Sequence, residues 1–234
     1  TYLQAKPQLL FNPINLNDIS MWAVKLSKLR DVCSPRSQLW LGEIGNAMYG
    51  GQSGISDTFE STLWWADALG LMAVNKQQVV VRQDLIGANY SLLDKQTFDP
   101  LPDYWVSFLW KRLMGTKILH LQSFQINAFV RFYASLSEKV GNRQDLITVL
   151  LINLQAKTNT VEFLNLNIRN VMLYQLTAKT LIDKVVLLNG KPLTFNKDKV
   201  PVVKGKSVKL KNNTVTLLPF SITFLTFTRE RNKG

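Results

Sequence analysis

The stretch Leu39-Trp40-Leu41-Gly42 ends in a lone carboxylate, Glu43, and six residues later the chain reads Tyr49-Gly50-Gly51. A short apolar run that hands one acid to a glycine-rich, aromatic loop is how a barrel strand presents a catalytic group at the mouth of a (β/α)8 site. On this reading Glu43 is one half of a glycoside-cleaving carboxylate pair, with a second carboxylate required opposite it. The competing reading is a strand-end acid that caps a loop or pairs with a lysine. Tyr49, Gly50 and Gly51 could likewise be a simple tight turn, but their position six to eight residues after Glu43 favours contact with a substrate.

Other chemistries find little support. Cys33 is the only cysteine and His120 the only histidine, which rules out an internal disulfide and argues against a His-based metal site or a Ser-His-Asp triad. No cofactor is implied. The longest apolar runs, Val79-Val80-Val81 and Thr148 to Ile152, are too short to span a bilayer. Trp64-Trp65 invites a sugar-stacking role, yet its place inside a helix points to core packing. Two N-glycosylation sequons occur, Asn89-Tyr90-Ser91 and Asn212-Asn213-Thr214. The chain opens on a strand-like Thr1-Tyr2-Leu3 without a cleavable signal ahead of it, which fits a mature, processed or truncated product.

The first half must supply the scaffold for Glu43. Ile19, Trp22, Ala23, Leu26 and Leu29 recur at helical spacing after a cap at Asn17-Asp18, and Pro35 stops them. Leu39 to Gly42 reads as a short buried strand. Ser56 or Asp57 caps a second helix bearing Phe59, Leu63, Ala66 and Leu69, with Gly70 placed for its left-handed end. Val79 to Arg82 reads as a strand buried on both faces. Leu101-Pro102 starts a third helix, with Asp103 in its first turn and Lys111-Arg112 and Gly115 at its end. Two parallel strands are too few to close a barrel.

From Lys117 the period changes to two. Val161 to Ile168 and Ser221 to Thr228 alternate, and Asn189-Gly190 between Val185 to Leu188 and Leu193 to Phe195 marks a two-residue hairpin. About eight short strands of this kind suggest an antiparallel β-sandwich. The charge divides at the same place. Residues 1–116 carry ten basic and ten acidic side chains, whereas residues 117–234 carry eighteen and six, the whole net charge of +12. Lys191 to Lys211 holds seven lysines and one acid, Asp198. Such a run serves either as a solvated, aggregation-resistant edge or as a patch that attracts a polyanion. Nucleic acid is disfavoured for want of a recognition motif. The expected division is residues 1–116 and residues 117–234.

These elements together resemble glycoside hydrolase family 79, and the heparanases within it. The matching words are Trp40-Leu41-Gly42-Glu43, Tyr49-Gly50-Gly51, Ser56-Asp57-Thr58-Phe59, Arg82-Gln83 and the eight residues from Phe98 to Trp105. The match runs on through Gly115-Thr116-Lys117 and returns at Val185 to Gly190 and Leu218 to Phe220. The resemblance implies α/β plus all-β architecture: the C-terminal part of a (β/α)8 TIM barrel, then an antiparallel β-sandwich. It further implies a retaining endo-β-glucuronidase that cuts heparan sulfate-type glycosaminoglycans, secreted to the extracellular matrix or lysosomal.

Under that resemblance Glu43 takes the nucleophile position, with hydrogen-bond donors around it expected to keep it ionised. Tyr49, Gly50 and Gly51 match a sugar-contacting loop, and Gln83 and Tyr90 match further substrate positions. Gly87 and Asn89 lie in a segment where the family has one more glycine, and Lys6 sits near a sulfate-binding arginine. The family's acid/base is a glutamate after an asparagine, and this chain contains no Asn-Glu pair. The implied partners are therefore a sulfated glycosaminoglycan and an N-terminal portion of the barrel, from a separate chain or a missing segment. Two alternatives stand beside this one: a non-catalytic glycosaminoglycan-binding relative, and a hydrolase of hyaluronan or small β-glucuronides.

Overall fold

The structure is a computed structural model that describes residues 6–125, 127–138, 144–166, 168–195 and 201–230. The strand-like reading of Thr1-Tyr2-Leu3 and the middle of the lysine run, Lys197 to Lys199, lie outside the described residues. The fold is mixed α/β. Its first half runs α1 (Pro7–Leu10), α2 (Pro13–Cys33), β1 (Leu39–Ile44), α3 (Phe59–Val74), β2 (Gln77–Arg82) and α4 (Pro102–Leu113). Strands β1 and β2 pair in parallel, as the alternation of helices and strands requires.

Local chemistry moves several boundaries. Helix α2 starts at Pro13 rather than after Asn17, because Asn12 accepts a hydrogen bond from the Ile14 N–H at 2.9 Å and Pro13 occupies the first turn. Thr58, not Ser56 or Asp57, is the N-cap residue of α3, and its side chain makes no capping bond. The N–H groups of Phe59 and Glu60 instead donate to the carbonyls of Asp183 and Leu181 at 2.9 and 2.8 Å, so a distant loop does the capping. Gly70 does not end α3, which continues to Val74. It is there because a Cβ would sit 2.2 Å from the Tyr133 ring.

The two parallel strands are also less buried than their sequences suggest. Trp40 is 65% exposed and Val81 is 44% exposed. Neither β1 nor β2 has a second strand neighbour among the described residues, so each lacks the flanking element that would cover it. The same holds for α2: Leu16 and Ala23 are buried and Ile19 packs against the core, but Trp22, Leu26 and Leu29 of its predicted inner face are exposed.

The second half is antiparallel. Strands β3 (Lys117–Leu119), β4 (Val130–Glu138), β5 (Gln144–Asn153), β12 (Ser221–Glu230), β7 (Arg169–Thr177), β8 (Leu187–Leu188) and β9 (Lys191–Pro192) lie in that order, and β10 (Lys206–Val208) also pairs with β7. A separate pair, β6 (Asn159–Glu162) and β11 (Thr214–Leu217), lies against one face of this sheet. The Val161–Ile168 run forms a strand only up to Glu162. The hairpin at Asn189-Gly190 is present, with φ of 49° and 82°, as a tight two-residue loop demands.

One face of the large sheet shares a core with the helices, joining Leu150, Ile152, Leu176, Ile222 and Phe224 to Trp64, Trp65, Trp105 and Leu109. The other face packs Val149, Leu151, Leu225 and Phe227 against Val215 and Leu217 of β11. A buried polar clamp fixes α3 to the sheet: Asp67, with no exposed surface, accepts from Arg131 at 2.8 Å and from the Tyr133 hydroxyl at 2.5 Å. Both halves of the chain therefore hold the candidate site on one continuous core.

Candidate active site

The register of β1 against β2 explains how Glu43 is presented. Leu41 pairs with Val80 and Ile44 with Arg82, so three steps on β1 meet two on β2. The extra residue is a bulge over Gly42-Glu43, the point at which the in-out alternation breaks and two successive residues face solvent. Bulges re-aim side chains at strand ends. Here the bulge turns Glu43 outward at the C-terminal end of a parallel strand while Ile44 stays buried. The Glu43 carboxylate accepts no hydrogen bond among the described residues, in contrast to the donor-rich setting expected for it.

The loop after β1 and the loop after β2 are tied to each other. The Asn89 N–H donates to the Gly50 carbonyl at 2.8 Å, and the Asn89 side-chain amide donates to the Gly51 carbonyl at 3.2 Å. The Tyr90 hydroxyl donates to Gln83 Oε1 at 2.8 Å. Tyr90 is buried, and its ring fills the space beside Gly51, where a Cβ would lie 2.7 Å from the ring and φ is +79°. Glycine is the residue that satisfies both demands at that position. Gly87, with φ +124°, turns the second loop. Tyr49 stands out at 89% exposed.

Electrostatics connect this cluster to Glu43. Burial raises the Tyr90 pKa; the Arg82 guanidinium and the Gly50 N–H oppose the rise, and Asp84 and Glu43 add to it. The hydroxyl therefore stays protonated and remains a donor.

Arg82 lies beneath these loops, 7% exposed. It donates to Asp103 Oδ2 from Nε at 3.1 Å and Nη2 at 3.0 Å, and from Nη1 to the carbonyls of Ile44 at 2.9 Å and Gln83 at 3.0 Å. Its guanidinium lies 4.9 Å from the Tyr90 ring and 5.2 Å from the Trp65 ring. Burial pushes the Asp103 pKa up, opposed by Arg82 and by the Thr62 hydroxyl, which donates to Asp103 at 2.8 Å. One side chain thus joins the ends of β1 and β2 to the first turn of α4. Deeper in, Ser91 is hydrogen-bonded to Asp84, and Asn46 donates to Ser61 at 2.7 Å.

The structure brings Tyr49, Gly50, Gly51, Gln83, Gly87, Asn89 and Tyr90 into two adjoining loops beside Glu43. Lys6 is the exposed N-cap residue of α1, with no hydrogen bond or ion pair to these residues among the described residues. Trp64 and Trp65 are core residues, 1% and 2% exposed. His120 lies just past β3 and is exposed. Cys33 is a free, exposed thiol at the end of α2. No group of His, Cys, Asp and Glu suited to a metal is found among the described residues. Arg82 belongs to the Arg82-Gln83 pair that resembles the family, yet sequence reasoning did not mark it as part of the site. Its signal was the single charge closing the run Val79-Val80-Val81, which a buried strand end must pair.

No protein-family model matches the chain. Among curated proteins it is 30% identical over 92% of its length to "Heparanase-like protein 2" of Arabidopsis thaliana, of which it covers 46%. It is 46% identical over 41% of its length to "Heparanase" of Rattus norvegicus, covering 18% of that protein. To "Inactive heparanase-2" of Homo sapiens it is 28% identical over 89% of its length, covering 38% of that protein. The chain thus spans less than half the length of these relatives. Among solved structures it resembles CelM2, a bifunctional glucanase-xylanase protein from a metagenome library, with TM-score 0.59 and 15% identity over 96% of this chain and 38% of that one. It also resembles a GH30 endoxylanase from Clostridium papyrosolvens C71, with TM-score 0.55 and 16% identity over 91% of this chain and 46% of that one. At such identities the likeness concerns fold alone.

Proposed function

We propose that this chain, a homologue of the heparanases and heparanase-like proteins, is the nucleophile-bearing portion of a retaining endo-β-glucuronidase that cleaves heparan sulfate-type glycosaminoglycans. The observation that carries this reading is the exposed Glu43 on a bulge at the C-terminal end of β1, beside the linked loops of Tyr49-Gly50-Gly51 and Gln83 to Tyr90. A carboxylate that accepts no hydrogen bond among the described residues is free to attack an anomeric carbon.

In the proposed reaction a Glu43 oxygen forms a bond to that carbon as the glycosidic carbon–oxygen bond breaks. A second carboxylic acid protonates the departing oxygen. Water then gives a proton to that second carboxylate, now a base, and its oxygen bonds the anomeric carbon as the bond to Glu43 breaks; the two carboxyl groups stand roughly 5 Å apart. Tyr90, buried and protonated, and Gln83 form the polar wall next to Glu43, while Gly51 lets the Tyr90 ring pack against the loop that carries the exposed Tyr49.

The second carboxylate and the rest of a barrel come, in this reading, from sequence N-terminal to these residues, on the same polypeptide or a separate one. Residues 1–116 are then the last repeats of a (β/α)8 barrel and residues 117–234 a C-terminal β-sandwich domain. The free outer edges of β1 and β2 and the exposed Trp22, Leu26, Leu29 and Trp40 support this reading. So does the doubled length of the relatives. The substrate places the protein outside the cytosol, in the matrix or a lysosome.

The test is Glu43→Gln in the full-length protein. Hydrolysis of heparan sulfate should fall roughly 10³-fold or more with retention on immobilised heparin unchanged. Unaltered hydrolysis contradicts the proposal. A second reading, a non-catalytic glycosaminoglycan binder, is favoured by the similarity to an inactive heparanase-2 and by the exposed Lys204, Lys206, Lys209 and Lys211. It predicts no hydrolysis by the unaltered protein, and heparin retention that is lost when Lys204, Lys206 and Lys209 are neutralised.

A further inference from the structure

We infer that Asn212 is an N-glycan attachment site of this protein and that Asn89, which heads the other sequon, is not. The inference rests on the proposed function only for passage through a secretory compartment. A glycosylated asparagine must sit, once the chain has folded, with its amide nitrogen and the hydroxyl two residues on at an open surface, because the glycan is bulky and solvated. The new bond joins Nδ2 to the anomeric carbon of a lipid-diphosphate-linked oligosaccharide. The carbon–oxygen bond to the diphosphate breaks, the lipid diphosphate leaves with the bonding pair, and the amide gives up one proton.

Asn212 meets both conditions. It is the first central residue of the turn Lys211 to Thr214, closed by the Thr214 N–H donating to the Lys211 carbonyl at 3.0 Å. Asn212 and Asn213 both have φ of 51°, a conformation asparagine tolerates in tight hairpin loops. The two asparagines then divide the work. Asn213 anchors the turn, its amide donating to the Leu166 carbonyl at 2.9 Å and its carbonyl accepting from the Phe163 N–H at 3.0 Å. The Asn212 side chain is exposed and makes no hydrogen bond among the described residues. The Thr214 hydroxyl, donating to the Asn212 carbonyl at 3.2 Å, stays on the same exposed side.

Asn89 fails on each count. Its amide already donates to Gly51, and its own N–H to Gly50. The hydroxyl of its sequon belongs to Ser91, 1% exposed, which donates to the Ala88 carbonyl at 2.8 Å and is bonded to Asp84. The residue between them, Tyr90, is 3% exposed. A sugar on Asn89 would take away the strap that holds the Tyr49–Gly51 loop. Asn212 presents no such conflict. Strand β11, which begins at Thr214, packs on the face of the large sheet turned away from the helices, whereas Ile44, next to Glu43, belongs to the core that the helices share. A glycan there projects from the outer layer formed by β6 and β11.

The experiment secretes the full-length protein from eukaryotic cells. Peptide N-glycosidase in heavy-oxygen water then marks every formerly glycosylated asparagine as labelled aspartate for peptide mapping. The mark is expected at Asn212 and not at Asn89, and the mass shift on deglycosylation should vanish in Asn212→Gln and persist in Asn89→Gln. Thr214→Val, which removes only the hydroxyl, should act like Asn212→Gln and serves if the latter is not secreted. An unmarked Asn212 in the secreted protein, or a mark at Asn89, overturns the inference. Hydrolysis measured on the same sample is independent: a marked Asn212 without hydrolysis counts against the proposed function alone.

Discussion

Arg82 is the residue through which the candidate site is tied to its scaffold. Five of its interactions converge on strand ends, a helix start and an aromatic ring. Its partner Asp103 is 3% exposed and would be left as a buried, uncompensated charge without it. Arg82→Met should therefore cost about 3–5 kcal/mol, read by chemical denaturation of the full-length protein. Arg82→Met combined with Asp103→Leu should cost clearly less than the single change, because no charge is stranded. Equal or larger loss in the double variant would contradict the pairing argument. At this scale the sequence was informative wherever a residue broke its local pattern. Glu43 interrupts an apolar run and Tyr49-Gly50-Gly51 follows it, and both ended up beside the loop that holds Gln83 and Tyr90. Lys6 had only a gapped resemblance behind it, and no hydrogen bond or ion pair joins it to that cluster among the described residues. Asp103 looked like a helix-dipole residue, and its ion pair across to β2 was invisible because nothing local encodes a contact twenty-one residues away.

Helix α3 shows how an element is finished by remote chain. Its first turn is capped by the carbonyls of Leu181 and Asp183 rather than by its own side chains, and Lys184 pairs with Asp57 at 2.6 Å across the same junction. Glu60 sits in that turn, 3% exposed, with one carboxylate oxygen unpartnered. Burial raises its pKa from 4.5 to about 7. The folded state therefore favours the protonated form: the contribution is full below about 4.5 and is lost as pH rises through 7. The protein should unfold at a lower temperature at pH 8 than at pH 5, by at most about 3 kcal/mol from this group. Glu60→Gln should flatten that slope and stabilise the protein at pH 8. An unchanged slope would show that Glu60 is not the titrating group. The helix was readable from its period, but its cap was not, because the capping atoms belong to a loop more than a hundred residues on. Asn12 and Pro13 displaced the start of α2 for the opposite reason: a strong local signal lay just upstream of the apolar spacing.

On the scale of the whole molecule, the order of helices and strands, the parallel pairing of β1 with β2 and the change to antiparallel strands at Lys117 were all legible, since each follows from periodicity. Burial was not. Leu39 to Gly42 reads as a short buried strand and Val79 to Arg82 as one buried on both faces, yet Trp40 and Val81 are open to solvent. A pattern that expects a neighbour on both sides, on strands that have one each among the described residues, is the physical basis for proposing that further sequence completes the molecule. The 234 residues alone should accordingly self-associate, and Trp22→Lys with Leu26→Lys should reduce that association in sedimentation experiments. The same pair of changes in the full-length protein should instead destabilise it, because there the face is proposed to be covered. Monodisperse behaviour of the unaltered 234 residues would count against a covered face.

The most direct measurement of the central claim is covalent trapping. The full-length protein is incubated with a 2-deoxy-2-fluoro-β-glucuronyl fluoride, which forms the glycosyl-enzyme quickly and releases it slowly, and its peptides are mapped by mass spectrometry. The account predicts one fluoro-glucuronyl adduct, on Glu43, absent from Glu43→Gln. An adduct on any other carboxylate, or turnover of glucuronides with Glu43 never labelled, would contradict it.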